Sequence, residues 1–120
     1  MSNKLVAIVD DKLGSEYMIS LVFESRGLSV VSYNRGEDLL DRMDVENNLG
    51  AVVMDTKIGN NLRGYDVCRL LFRKHPNIPV IGVSADPKDC KKWLSCGARE
   101  FVVKPFKVYD VLNKVRSYLD

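Results

Sequence analysis

The chain has 120 residues, of which 46% are hydrophobic and 28% are charged. This length and composition predict one compact folded domain, and they exclude a disordered chain and a membrane-spanning one. The formal net charge of +2, with the basic residues spread along the chain, gives no support for nucleic-acid binding.

The start of the chain and its cysteines indicate the compartment. The first residues lead into a short apolar run that ends in two aspartates, which is not the pattern of a signal peptide. The three cysteines show no CxxC spacing, so reduced thiols are favoured over a disulfide framework or a zinc site. We therefore expect a cytoplasmic protein without membrane contact.

The chain opens with a predicted strand and helix. Leu5–Val9 is a continuous apolar run of strand length that ends at Asp10 and Asp11. Residues 14–26 carry apolar side chains at helical spacing, and Gly27 follows as a helix stop. The apolar positions of this helix are Tyr17, Met18, Leu21 and Val22.

A second and a third strand follow. Residues 28–33 form a predicted strand, and a turn at 34–36 leads into a helix. This helix carries Leu39, Leu40 and Met43. Residues 47–50 break the chain before Ala51–Asp55, an apolar run without polar alternation, which predicts a strand buried on both faces. Asp55 is the first polar residue of that run and marks its carboxyl end.

The loop at 56–64 is long for a connection between a strand and a helix, and it is rich in glycine and asparagine, which suggests a function. The next helix covers about 65–74. Its apolar positions are Val67, Leu70 and Leu71. A buried strand at 79–83 then ends at Ser84.

The last part of the chain adds a helix, a strand and a helix. The first of these begins at about Asp86 and ends before Gly97. Residues 101–103 form a fifth strand, which ends at Lys104. The last helix covers 107–119, and its apolar face consists of Val108, Val111, Leu112, Val115 and Leu119.

Five alternations of strand and helix predict an α/β domain with parallel strands and helices on both faces of the sheet. The carboxyl ends of the strands then share one edge, where ligands bind in such sheets. The polar residues that fall there are Asp10, Asp11, Asp55, Ser84 and Lys104. Three crowded carboxylates would repel each other unless a cation lay among them, and an all-oxygen set suits Mg²⁺ completed by water and a phosphate.

Each of these residues also has a simpler interpretation when it is taken alone. Asp11 is as consistent with a helix cap, and Asp55 with an ordinary loop carboxylate. Ser84 is typical of a local hydrogen bond to the backbone. Lys104 could be an exposed lysine, and Phe101 a core residue.

The whole chain resembles the receiver domains of two-component response regulators, the CheY-like family. The matching motifs, in chain order, are Asp10-Asp11, Asp55 after an apolar strand, Ser84-Ala85, Cys96-Gly97-Ala98 before Phe101, and Lys104-Pro105-Phe106. The resemblance implies a single doubly wound (βα)5 domain, flavodoxin-like, with a parallel sheet in the order 2-1-3-4-5. The receiver domain covers residues 1–120, so we expect no output domain among these residues, and both a stand-alone regulator and the receiver of a longer regulator stay open.

The resemblance implies that Asp55 accepts a phosphoryl group from a sensor histidine kinase or a phosphotransfer protein. Mg²⁺ would be held by Asp10, Asp11, Asp55 and the backbone carbonyl of Lys57. Lys104 would pair with a phosphoryl oxygen. Phosphoryl transfer needs mainly positioning and charge neutralisation, and a metal ion opposite a fixed lysine supplies both.

The resemblance also implies a switch. The Ser84 hydroxyl would hydrogen-bond to the phosphoryl group, and Phe101 would rotate into the vacated space. The surface of the fourth helix, fifth strand and fifth helix would then change. A downstream partner or an output domain would read that surface, and two copies would form a homodimer through it. Such a domain turns over no external substrate and makes no direct contact with nucleic acid.

The chain departs from the family pattern at five positions. Lys57 places an ammonium side chain beside the site, where contact with the phosphate, steering of a partner and exposure to solvent are all open interpretations. Gly59 stands where proline is common, and Gly64 comes one residue late, so the loop after Asp55 should have a different shape. Ser84 replaces the commoner threonine, and Phe101 lacks the hydroxyl of the tyrosine often found there.

Other classes of protein explain these residues less well. A receiver fold that binds a partner without phosphorylation is the main alternative, but it would not require Asp10, Asp11, Asp55 and Lys104. A phosphatase of the haloacid-dehalogenase type needs a second aspartate two residues after its nucleophile, where Lys12 stands. A nucleotide-binding protein needs a glycine- or hydroxyl-rich loop after the first strand, where two aspartates would repel phosphate.

Overall fold

A computed structural model of the protein describes residues 5–10, 13–45, 48–59 and 62–119. The strands are β1 Leu5–Val9, β2 Ser29–Tyr33, β3 Leu49–Asp55, β4 Val80–Ser84 and β5 Glu100–Val103. The helices are α1 Leu13–Ser25, α2 Gly36–Val45, α3 Gly64–Lys74, α4 Cys90–Ser95 and α5 Val108–Leu119. All strand pairs are parallel, and the sheet order β2-β1-β3-β4-β5 confirms the predicted architecture.

Helices cover both faces of the sheet and enclose two separate apolar clusters. On one face α2, α3 and α4 contribute side chains such as Leu39, Val67 and Trp93. On the other face α1 and α5 contribute Phe23 and Val111. The central strands β1 and β3 are buried on both faces, which explains why their sequences are apolar without alternation.

Strand β3 begins two residues before its predicted start at Ala51. Leu49 pairs with Leu5 and Ala51 pairs with Val6, so Gly50 is an extra residue at a register shift in the ladder. Glycine inside a strand often marks such an irregularity. The sequence indicates a break at this point because glycine has low strand propensity, whereas the pairing with β1 extends the strand through it.

The predicted apolar face of α1 is wrong at two positions. Met18 and Leu21 are 56% and 46% exposed, whereas Ile19 and Phe23 are buried against the sheet. Apolar residues occur around most of this helix, so its periodicity does not define a single face. The side chain of Tyr17, also assigned to that face, lies outside the described part of the chain.

Helix α3 shows the same kind of difference on a smaller scale. Val67 and Leu71 are buried as predicted, but Leu70 is 39% exposed and Cys68 takes its place in the core. Cysteine behaves as a small apolar residue when it is buried. The predicted apolar positions of α3 left Cys68 out because it was considered only as a thiol.

The segment after β4 is not one continuous α-helix over 86–95 as predicted. A 3₁₀ turn at Pro87–Asp89 comes first, and α4 follows with only six residues. The Asp86 side chain accepts the Lys88 N–H at 2.9 Å and so caps the 3₁₀ turn. Gly97 follows the helix with a φ of +106°, a conformation that favours glycine. Within the described ranges, no helix is long and apolar enough to cross a membrane.

Candidate functional site

Asp55 and Lys104 form an ion pair at the carboxyl edge of the sheet. Asp55 ends β3, and its Oδ2 accepts a hydrogen bond from Lys104 Nζ at 2.6 Å. The other carboxylate oxygen, Oδ1, accepts the Thr56 backbone N–H at 2.8 Å. Lys104 follows β5, where its own backbone N–H donates to the Ser84 carbonyl at 2.8 Å. The sheet therefore fixes the backbone of both partners, and the Asp55 side chain is only 9% exposed.

Asp10 reaches the same edge from β1. It is 4% exposed, and its backbone N–H donates to the Tyr33 carbonyl at 3.0 Å. A cavity of about 840 Å³ is lined by Asp10, Asp55 and Lys104 together with mostly apolar residues. Asp11, the third predicted carboxylate, lies outside the described residues. Between the described side chains, no group of three or more His, Cys, Asp or Glu comes together.

The donors of this cavity fit a hard divalent cation. Asp10 and Asp55 are both buried carboxylates. Among the described residues that line the cavity, Lys104 is the one with a positive charge. Two carboxylates facing one ammonium leave an excess of negative charge, and oxygen donors are those that Mg²⁺ prefers. The residues present thus fit a metal ion held in this cavity by Asp10 and Asp55, beside the ion pair with Lys104.

Ser84 ends β4, and its hydroxyl is engaged with the loop that follows. Ser84 Oγ donates to Asp89 Oδ2 at 2.6 Å and accepts the Asp86 backbone N–H at 3.1 Å. Ser84 is 5% exposed. A second cavity, of about 340 Å³, is lined by Ser84, Asp89, Asp55 and Lys104. The local hydrogen bonding of Ser84 expected from its residue type is therefore present beside the ion pair.

Lys57 lies in the loop after β3, and Phe101 lies on β5. Lys57 is exposed, and its backbone pairs with that of Arg63 in an isolated antiparallel bridge, which closes the loop after β3. Lys57 and Arg63 both line the cavity that contains Ser84. Phe101 is half-buried on β5 and packs against the apolar cluster of α2, α3 and α4. Its ring belongs to the core in this structure.

Trp93 is a site residue that the sequence analysis missed. It is fully buried on α4, and its Nε1–H donates to Thr56 Oγ1 at 2.8 Å. The Thr56 hydroxyl in turn donates to the Val83 carbonyl at 2.8 Å. Tyr65 packs edge-on against the indole with ring centroids 6.1 Å apart. Helix α4 is thereby joined to the residue that follows Asp55.

Two glycines make room for the indole of Trp93. A Cβ on Gly82 of β4 would lie 2.6 Å from Trp93 Cε3, and a Cβ on Gly64 would lie 2.8 Å from Trp93 Cζ2. Real Cβ atoms do not approach so closely. Glycine inside a buried strand such as β4 is a sign that another group approaches the backbone, and this sign was present in the sequence.

The family model and the similar proteins indicate the same family. Residues 6–116 match the family model described as the response regulator receiver domain. The CAI-1 autoinducer sensor kinase/phosphatase CqsS of Vibrio cholerae is 30% identical over 119 residues, which is 95% of this chain and 17% of CqsS. This chain spans about half the length, or less, of most of the curated relatives it matches, several of which are transcriptional regulatory proteins.

Solved structures agree with the fold. The BeF3-activated receiver domain of DrrB is 28% identical with a TM-score of 0.85, and the match covers 97% of each chain. The response regulator TrrA of Thermotoga maritima, solved in complex with Mg(2+)-BeF, has a TM-score of 0.87 at 22% identity. That match covers 97% of this chain and 99% of TrrA.

Proposed function

Since the chain belongs to the response regulator receiver domain family of two-component signal transduction, we propose that Asp55 is its phosphoacceptor. The observation that carries this proposal is the pair formed by Asp55 and Lys104 at 2.6 Å, at the edge to which β1 and β4 also bring Asp10 and Ser84. The donor would be a sensor histidine kinase or a phosphotransfer protein.

In the proposed reaction, a carboxylate oxygen of Asp55 attacks the phosphorus atom of a phosphohistidine in line with the leaving imidazole. The new oxygen–phosphorus bond forms as the phosphorus–nitrogen bond breaks, and the imidazole leaves with its electron pair. The Thr56 N–H, 2.8 Å from Oδ1, orients the carboxylate. Lys104 neutralises charge on the phosphoryl oxygens, which is the main contribution that such a transfer needs from a protein.

A Mg²⁺ ion at this site would be held by Asp10, Asp11, Asp55 and the Lys57 backbone carbonyl. Its contribution when bound is to neutralise negative charge between the carboxylates and the incoming phosphoryl group. The buried carboxylates of Asp10 and Asp55 in one cavity support this assignment. TrrA, which shares the fold, was solved with Mg(2+)-BeF.

The proposed output is a change in the surface of α4, β5 and α5. Ser84 would turn to the phosphoryl group and Phe101 would follow into the space beside β4. A groove of about 670 Å³ between β5 and α5, lined by Phe101 and Asp110 among others, is part of this surface. A downstream protein, an output domain or a second copy of the chain would bind there.

Intact-protein mass spectrometry after incubation with acetyl phosphate tests the proposal. We expect one phosphoryl group to be added to the wild type with Mg²⁺, none with chelator, and none to Asp55→Asn. The matched control is Asp41→Asn, because Asp41 is an exposed carboxylate on α2, away from the site. It should be phosphorylated like the wild type.

The main alternative is a receiver fold that binds its partner without phosphorylation. Folded wild-type protein that gains no phosphoryl group, and that also fails to bind beryllofluoride with Mg²⁺, would favour that alternative. A phosphoryl group that persists in Asp55→Asn would place the acceptor elsewhere.

A further inference from the structure

The Ser84 hydroxyl has a single proton to donate, and in this structure the proton goes to Asp89. The distance from Ser84 Oγ to Asp89 Oδ2 is 2.6 Å, which is short and typical of a hydroxyl bound to a carboxylate. The Asp86 N–H occupies an acceptor site on the same oxygen at 3.1 Å. A serine hydroxyl offers one donor, so it cannot serve Asp89 and a second anion together.

The position of Asp89 suggests that holding Ser84 is its role. Asp89 ends the 3₁₀ turn and directly precedes α4, where an aspartate usually caps the helix with its side chain. Its carboxylate makes no such cap bond to α4. Asp89 also lines the cavity of about 340 Å³ that contains Asp55 and Lys104, so its charge faces the same space as the reacting groups.

We propose that Asp89 is a positioning residue that holds Ser84 in the unphosphorylated form and competes with the phosphoryl group for the Ser84 hydroxyl proton. This inference rests on the proposed function of Asp55. On phosphorylation, Ser84 exchanges its hydrogen bond to the Asp89 carboxylate for one to the phosphoryl group, and both bonds are charge-assisted. The net free energy gained when Ser84 turns to the phosphoryl group is therefore small. Asp89 therefore lowers the fraction of phosphorylated molecules that reach the switched conformation.

Removal of Asp89 should favour the switched form. A hydrogen bond between a hydroxyl and a carboxylate contributes enough to stability that its loss in the resting form shifts the equilibrium by about tenfold. Asp89→Ala should therefore bind beryllofluoride, in the presence of saturating Mg²⁺, about tenfold more tightly than the wild type. Fluorescence of Trp93, the single tryptophan of the chain, reports the titration.

A double-mutant cycle with Ser84→Ala separates the hydrogen bond from simple removal of charge. If Asp89 acts through Ser84, Asp89→Ala gains affinity in the wild-type background and gains none in the Ser84→Ala background. Asp86→Asn is the control for charge, because Asp86 lines the same cavity but its side chain bonds to Lys88. Its affinity should stay within about twofold of the wild type.

The proposal would be overturned if Asp89→Ala gained the same affinity for beryllofluoride in both backgrounds, or if Asp86→Asn gained as much. Either result would mean that Asp89 acts by charge repulsion. An unchanged or weaker affinity in Asp89→Ala would also overturn it. A second readout needs no ligand: the Asp86 amide resonance should shift in Asp89→Ala, since this N–H donates to the Ser84 hydroxyl. Failure of the wild type itself to bind beryllofluoride would count against the proposed function, whereas the amide shift would still test the bond to Asp89.

Discussion

Thr56 is the residue through which Asp55 is connected to α4. Its backbone N–H is shared between Asp55 Oδ1 at 2.8 Å and the Val83 carbonyl at 2.9 Å. Its carbonyl accepts the Gly64 N–H at 2.7 Å, and its hydroxyl accepts the Trp93 Nε1–H. It is 6% exposed. Because all these bonds are buried, Thr56 fixes the chain on the carboxyl side of Asp55 and holds α4 against β4.

Thr56→Val should lower the free energy of unfolding by about 1–3 kcal/mol, because it leaves the buried Trp93 Nε1–H without an acceptor. Urea unfolding followed by Trp93 fluorescence measures this change. Thr56→Ser keeps the hydroxyl and should lose less than about 1 kcal/mol. If Thr56→Val were as stable as the wild type, the hydrogen bond to the indole would contribute nothing.

The residues of the site differ in how far they could be predicted. Asp10, Asp55, Ser84 and Lys104 follow apolar runs, and parallel strands bring their ends to one edge, so their neighbourhood follows from the alternation of elements. Trp93 was missed because a tryptophan on a helix of six residues does not show which group it contacts, and Gly82 marks only that some group approaches β4. The bond between Ser84 and Asp89 was missed because it depends on the path of a loop.

Strands were predicted more accurately than helices in this chain. A strand buried on both faces is a short apolar run, and β1 has the predicted bounds. A helix must in addition show which of its sides faces the sheet, and α1 carries apolar residues on several sides. Only the packing against the sheet decides which side of α1 is buried. The sequence pattern alone therefore placed Met18 on the wrong side of the helix.

β5 and α5 are joined by a cluster around Glu100. Tyr118 Oη donates to Glu100 Oε2 at 2.7 Å, and Lys114 Nζ lies 3.3 Å from Oε1. The hydrogen bond from Tyr118, followed by the interactions with Lys114, holds the pKa of Glu100 below its ordinary value of 4.5, although partial burial opposes this shift. The same hydrogen bond to Glu100 raises the pKa of Tyr118 above its ordinary value of 10.0.

The sign of both pKa shifts gives this cluster a pH window. Because the pKa of Glu100 is lowered in the folded state, its contribution to the free energy of unfolding is present above pH 4.5. This contribution is lost as the pH falls through the pKa of the folded state. The raised pKa of Tyr118 means that its contribution is present below pH 10.0 and is lost as the pH rises through the folded value.

Tyr118→Phe should therefore cost about 0.5–1 kcal/mol of unfolding free energy at pH 7, since the cluster is partly exposed to solvent. The cost should fall by at least half at pH 3, where Glu100 is protonated in the unfolded chain. Urea unfolding at the two pH values measures both. Tyr109→Phe is the control, because Tyr109 is exposed and bonds to Arg26, and its smaller cost should not change in acid. A cost for Tyr118→Phe that is independent of pH would contradict the prediction.

The three cysteines differ in burial, and their reactivity reports on how the whole molecule opens. Cys68 and Cys96 are buried in the apolar cluster under α2, α3 and α4, whereas Cys90 is half-buried at the start of α4. Burial, with a smaller effect from Cys96, raises the pKa of Cys68 to about 12. Almost none of this thiol is ionised near neutral pH, and the thiolate is the reactive form.

Iodoacetamide at pH 8 should therefore modify Cys90 first, and Cys68 only when the molecule unfolds. Peptide mapping by mass spectrometry over time, with and without a subdenaturing concentration of urea, measures the two rates. Cys90→Ser should remove the fast phase and leave the slow one unchanged. Modification of Cys68 at a rate close to that of Cys90 would mean that this core opens without global unfolding.

The space that Gly64 and Gly82 leave for Trp93 has an evolutionary consequence. A larger residue at Gly82 requires a smaller one at 93, and a lineage that loses the indole is released from that glycine, whereas Gly64 stays confined by the Asp55 carbonyl oxygen. We therefore expect positions 82 and 93 to covary among related sequences, with Gly64 retained whether or not the indole is present. The residue at 56 should join them, since only a hydroxyl or another acceptor there meets the indole N–H.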